Sequence, residues 1–124
     1  MTASPRAIEL TLIAAAAASE KFGTDIIAID VSEKLPLTDV FLIVTASNDP
    51  LLKSICNEVE EKLRIAGSMI VRSEGLAEGR WALLDFSEIV VHVQNAEERI
   101  YYDLERLWRD CPTIDITHVL SEAR

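Results

Sequence analysis

The side chains that could do chemistry in this chain are few and scattered. They are the carboxylates Asp25, Asp30 and Asp39, the two imidazoles His92 and His118, and the two thiols Cys56 and Cys111. Two-metal phosphate chemistry needs carboxylates close enough to share a cation, and no D-x-D pair occurs. Two histidines without neighbouring ligands make no metal centre. There is also no P-loop, no H-E-x-x-H, no G-x-S-x-G and no G-x-G-x-x-G. The cysteines are far apart with no C-x-x-C pair, so neither a zinc site nor a disulfide framework is indicated, and the thiols suit a reducing cytoplasm. The expectation is a chain with no catalytic, metal-binding or cofactor-binding residue. The nearest enzymatic reading is a divergent nucleotidyltransferase, or a hydrolase using Asp39 and His92, and metal-dependent turnover would reveal either.

Binding chemistry is better represented. Trp81 to Phe86 and Ile89 to Gln94 read as two strands joined by Ser87-Glu88, the loop length of a tight two-residue turn. Such a turn pairs Phe86 with Ile89, and alternation then sorts the side chains. Ala82, Leu84, Phe86, Ile89, Val91 and Val93 form a wholly apolar face, which should meet helices. Trp81, Leu83, Asp85, Val90, His92 and Gln94 form the other. A large aromatic ringed by a carboxylate and an imidazole is a composition common at protein interfaces. The candidate docking surface is therefore centred on Trp81, with Leu76 and Leu83 adding apolar contact and Glu74, Asp85 and His92 around them. An ordinary solvated sheet face, with Trp81 tucked beneath a loop, has the same composition.

The elements that must position these residues are legible along the chain. Ser4-Pro5 reads as a cap and first-turn proline for an alanine-rich helix running to about Phe22 and stopped by Gly23. Asp25 to Val31 and Val40 to Thr45 are short β-branched runs typical of buried strands. Asn48-Asp49-Pro50 opens a second helix, with Leu52, Ile55, Val59, Leu63 and Ala66 at helical spacing. Met69 to Arg72 is a candidate third strand, and Ser73 to Arg80 a connecting loop. Asn95 and Glu98 have capping-box spacing ahead of a third helix, whose expected apolar stripe is Ile100, Tyr101, Leu104, Leu107 and Trp108, ending near Asp110. Residues 112–124 have weak signals and stay unplaced. The order α-β-β-α-β-β-β-α implies an α/β (α+β) fold, a mixed sheet with helices covering one face.

Composition bounds the partners. A chain of 124 residues with 49% apolar side chains is expected to be one domain, 1–124, with a real core. Its formal charge of −9 repels phosphate backbones and anionic lipid, so neither direct nucleic-acid binding nor a membrane role is expected. The apolar run Leu12 to Ala18 is too short to span a bilayer and has no lysine-rich leader. A basic protein is the natural complement.

Five blocks of residues then resemble a known family. DIIAIDVS (Asp25–Ser32), LTDVFLIVTAS (Leu37–Ser47), EVEEKL (Glu58–Leu63), EGLAEGRWALLDFSEIVVHV (Glu74–Val93) and YYDLERLW (Tyr101–Trp108) are similar to the ribosomal silencing factors, also called Iojap-like proteins. The recognisable core is 25–108. Ser87 departs from that pattern, standing where glycine is common. The resemblance implies a fold related to the nucleotidyltransferases but without catalytic residues. It also implies a partner, ribosomal protein fourteen of the large ribosomal subunit, bound where the small subunit would approach, so that translation falls when nutrients are short. A ribosome-biogenesis factor for the large subunit is the alternative within the same resemblance. Homodimerisation is left open.

Overall fold

The computed structural model describes residues 2–120. The Ser4 hydroxyl oxygen accepts the Ala7 N–H at 3.0 Å, and helix α1 runs Pro5–Glu20. Ala14, Ala15, Ala17 and Ala18 are buried, so small side chains let α1 lie directly on the sheet. Helix α2, Asp49–Ile65, starts in the same way, with Asn48 Oδ1 accepting the Leu51 N–H at 2.8 Å. It buries Leu52, Ile55, Cys56, Val59 and Leu63 against the same face.

Strands β1 (Thr24–Asp30), β2 (Val40–Ala46), β3 (Arg72–Glu74), β4 (Trp81–Asp85), β5 (Ile89–Asn95) and β6 (Thr113–Ile114) form one six-stranded sheet. Its order is β3-β4-β5-β2-β1-β6, with β2 and β5 parallel at the centre and the other neighbours antiparallel. The two central strands are covered on both faces, which is why they read as continuous apolar runs.

The β4–β5 hairpin has the expected two-residue turn: the Phe86 N–H donates to the Ile89 carbonyl at 3.0 Å and Asp85 lies opposite Val90. Ser87 adopts φ +76°, the left-handed geometry a primed turn requires at its first central residue. Asp85 Oδ1 helps to hold it there by accepting the Ser87 N–H at 2.8 Å. Ala82, Leu84, Phe86, Ile89, Val91 and Val93 all join the core beneath α1 and α2.

Three expectations need correction. The third strand is Arg72–Glu74 rather than Met69 to Arg72; Met69 and Val71 are exposed, and although the Val71 N–H donates to the Asp85 carbonyl at 2.7 Å, residue pairing with β4 begins at Arg72, opposite Asp85. The third helix is broken in two, α3 (Ala96–Tyr102) and the single turn α4 (Leu104–Leu107), at Asp103, whose φ is +47°. Helices also lie on both faces. Leu104 is buried with Ile29, Val31 and Ile43 on the side opposite α1 and α2, and Phe41 and Trp108 pack beside it.

Arg99 explains the last two. Its guanidinium is buried, donating to Thr45 Oγ1 at 2.7 Å, to the Asp25 carbonyl at 2.6 Å and to both Glu105 carboxylate oxygens at 2.9 and 3.0 Å. With Arg99 turned inward, Tyr102 follows it on the same face one turn later and Ile100 and Tyr101 must point out. The terminal segment that sequence left unplaced pairs β6 with β1 and buries Ile116 in the main core before a short 3-10 turn at Thr117–Val119. The remainder of that tail, 121–124, lies outside the described residues.

Candidate docking surface

β4 presents Trp81, Leu83 and Asp85 away from α1 and α2, each of them half-buried. Trp81 is held in place from two sides. Its indole N–H donates to His92 Nδ1 at 3.2 Å, and its ring lies 4.6 Å from that of Tyr102 at 49°. His92, opposite Leu83 on β5, is itself covered, with the Phe41 ring edge-on at 5.0 Å. Phe41 in turn meets Trp108 at 5.2 Å. His92, expected at the surface, thus forms part of the inner wall of an aromatic cluster.

Burial pulls the His92 pKa down to about 4. The imidazole is neutral in the folded protein, and because Nδ1 accepts from Trp81 the proton belongs on Nε2, which meets no protein acceptor among the described residues. His92 is therefore a packing and positioning group. In the unfolded chain it titrates near 6.5, so the unfolded state binds the extra proton first as pH falls. Its contribution is complete above that value and lost on descending toward pH 4. We expect about 2 kcal/mol less stability at pH 5 than at pH 7, measured by urea unfolding, and His92→Phe should remove that difference. An equal pH dependence in the variant would assign it to other groups.

Beside Trp81 the surface opens into a concavity of about 580 Å³. Trp81, Leu83 and Tyr102 supply its apolar wall, Glu74, Glu78 and Glu98 its carboxylates, and Arg80 its cation. From Tyr102 the surface continues onto the outer side of α3 and α4, where Ile100 and Tyr101 are both 79% exposed and Leu107 is 71% exposed. Of the residues expected at the docking surface, Glu74, Trp81 and Leu83 meet at this concavity. His92 lies beneath it. Asp85 is at the far end of β4, occupied by Ser87 and by Arg72 at 3.5 Å. Leu76 packs toward the main core instead. Glu98 and Tyr102 were missed as surface residues, although the capping spacing had placed Glu98 at the start of α3, where its N–H donates to Asn95 Oδ1 at 2.8 Å.

Asp30, Asp39 and Cys56 serve structure. Asp30 accepts the Ala3 N–H at 2.9 Å, the Ser32 N–H at 3.0 Å and the Ser32 hydroxyl at 2.6 Å, and Asp39 accepts the Ser4 N–H at 2.8 Å. Burial alone would raise the Asp30 pKa, but these hydrogen bonds outweigh it and hold the carboxyl below its ordinary value. Burial, with Glu60 nearby, pushes the Cys56 thiol up to about 12, which leaves it unreactive. No metal-sized group of three His, Cys, Asp or Glu side chains occurs among the described residues.

The family model described as "Ribosomal silencing factor during starvation" matches residues 4–124. The chain belongs to the ribosomal silencing factor family. It is 38% identical over 110 residues to the ribosomal silencing factor of Bacillus subtilis, covering 89% of this chain and 93% of that one. A crystal structure of a Chromobacterium violaceum protein superposes with a TM-score of 0.79 at 38% identity, covering 82% of this chain and 84% of the other. One from Bacillus halodurans gives 0.74 at 29% identity, covering 90% and 99%. Membership places the chain among non-enzymatic regulators of translation. Among the described residues no helix is long and apolar enough to cross a membrane.

Proposed function

We propose that this silencing factor acts by occupancy. It docks the Trp81–Tyr102 concavity and the adjoining α3–α4 ledge on a basic protein of the large ribosomal subunit, ribosomal protein fourteen, and so denies that surface to the small subunit. The observation that carries this reading is the concavity itself, half-buried aromatic rings beside three carboxylates on a chain of net charge −9. Aromatic anchors within a charged rim are the arrangement that gives protein interfaces both energy and partner choice. No bond need be made or broken, because mutual exclusion at one surface is enough.

The test is sedimentation. Large subunits preincubated with the protein should fail to join small subunits, whereas binding without inhibition would favour a role in large-subunit assembly. The isolated basic protein should be bound in the absence of ribosomal RNA, more weakly as salt rises. Glu74→Lys with Glu78→Lys should slow that association about 10-fold with little effect on melting, since both side chains are exposed. Tight binding to naked ribosomal RNA with none to the protein would sink the proposal.

A further inference from the structure

Arg80 is an unexpected group on a surface built for a basic partner. Among the described residues it is the one cation lining the concavity, and its Nη2 lies 2.7 Å from Glu98 Oε1. Glu98 is also the sheltered carboxylate there, its side chain 13% exposed against 60% for Glu74. The sheltered carboxylate of the cavity is thus already paired from within.

Arg80 is fixed at its backbone, while its paired side chain is exposed to solvent. Its carbonyl accepts the Asn95 N–H at 2.9 Å, tying the backbone to the start of α3. Its side chain is 66% exposed and borders a second concavity of about 360 Å³, lined by Asp49, Glu78 and Glu97 among others. The guanidinium can therefore leave Glu98 and still face carboxylates.

Resting on the docking function above, we propose that Glu98 receives a cationic side chain of the docking protein and that Arg80 is its internal stand-in, displaced into the second concavity when the partner binds. The rings of Trp81 and Tyr102, whose centroids are 4.6 Å apart, provide the wall along which a guanidinium plane can lie. The incoming cation gains only the difference between its own pairing and that of Arg80. A partner offering charge alone competes poorly, while one that adds stacking on the rings wins, so Arg80 sharpens selection.

The experiment uses N-acetyl-arginine amide as the probe and the Trp81 indole N–H as the reporter, in proton–nitrogen correlation spectra of the full chain. Arg80→Gln should reach half-shift at about 5-fold lower probe concentration than the parent, the effect of releasing one exposed ion pair. Arg80→Lys should stay near the parent, and Arg80→Gln combined with Glu98→Gln should lose the gain. The neutral citrulline analogue should shift none of them. A half-shift concentration for Arg80→Gln at or above the parent's overturns the proposal, as does an equal response to citrulline or no response from any variant. The probe needs no ribosome, so failure of large-subunit docking would leave these shifts in place. Their loss, conversely, would leave docking through other groups untouched.

Discussion

Trp81→Ala is expected to weaken docking on the large subunit by at least about 30-fold, and to lower folding stability by about 2 to 3 kcal/mol at the same time. The two losses have one origin. The indole is half-buried within the cluster that contains Ile43 and Leu104, donates to His92 and packs at a tilt against Tyr102, so its removal opens a void and strips cover from a buried imidazole. A binding defect in this variant alone would therefore say little about the interface. Trp81→Phe keeps a ring against Tyr102 while deleting the N–H, and should cost about 1 kcal/mol of stability. Tyr102→Ala truncates a residue that is 46% exposed and should melt close to the parent yet bind about 10-fold more weakly. If both of these variants hold the large subunit as tightly as the parent, the concavity is not where it docks.

How much of this was legible in sequence follows from how local each signal was. The hairpin was read correctly because alternation and a two-residue loop are properties of adjacent residues, and Ser87 could take a positive φ with Asp85 holding its N–H. Both long helices announced themselves through a cap and a first-turn proline. The stripe Ile100, Tyr101, Leu104, Leu107 and Trp108 misled because its phase is set by a long-range contact. Arg99 reaches across to Thr45 on β2, 54 residues away in sequence, and no pattern near Arg99 reveals that partner. Once the helix turns on Arg99, two apolar side chains become surface, Tyr102 comes over Trp81, and the sheet face that alternation leaves open acquires a cover. Leu76, expected at the docking surface from its place in the loop before β4, is partly buried against the main core, a contact that no local pattern in that loop encodes. The same uncovered-face reasoning placed His92 outside, whereas the structure puts it beneath Trp81 and makes it a supporting residue.

The loop that presents Trp81 yields the largest single-atom effect. Gly75 has φ +84°, and a Cβ built on it would run into the carbonyl oxygen of Trp81, a backbone atom in a strand paired with β5. Gly75→Ala must therefore either displace the start of β4 or abandon the turn, in which the Gly79 N–H reaches the Gly75 carbonyl at 3.2 Å. We expect a loss of about 3 kcal/mol or more by urea unfolding, combining the strained backbone with the displaced strand. Gly67 offers the internal comparison. It too has a positive φ, of +92°, but a Cβ there would meet only the tip of the Arg6 side chain at 3.4 Å, so Gly67→Ala should show the conformational cost alone, about 1 kcal/mol. Docking should separate the two further. Gly67 follows α2, away from the concavity, and its variant should bind as the parent does. Gly75→Ala should bind poorly even where it remains folded, because Glu74, just before the turn, and Glu78, within it, line the concavity with Trp81. Equal stability losses in the two variants would mean that close approach to the Trp81 carbonyl does not decide the conformation of this loop. Full binding by a folded Gly75→Ala protein would separate the loop from the docking surface.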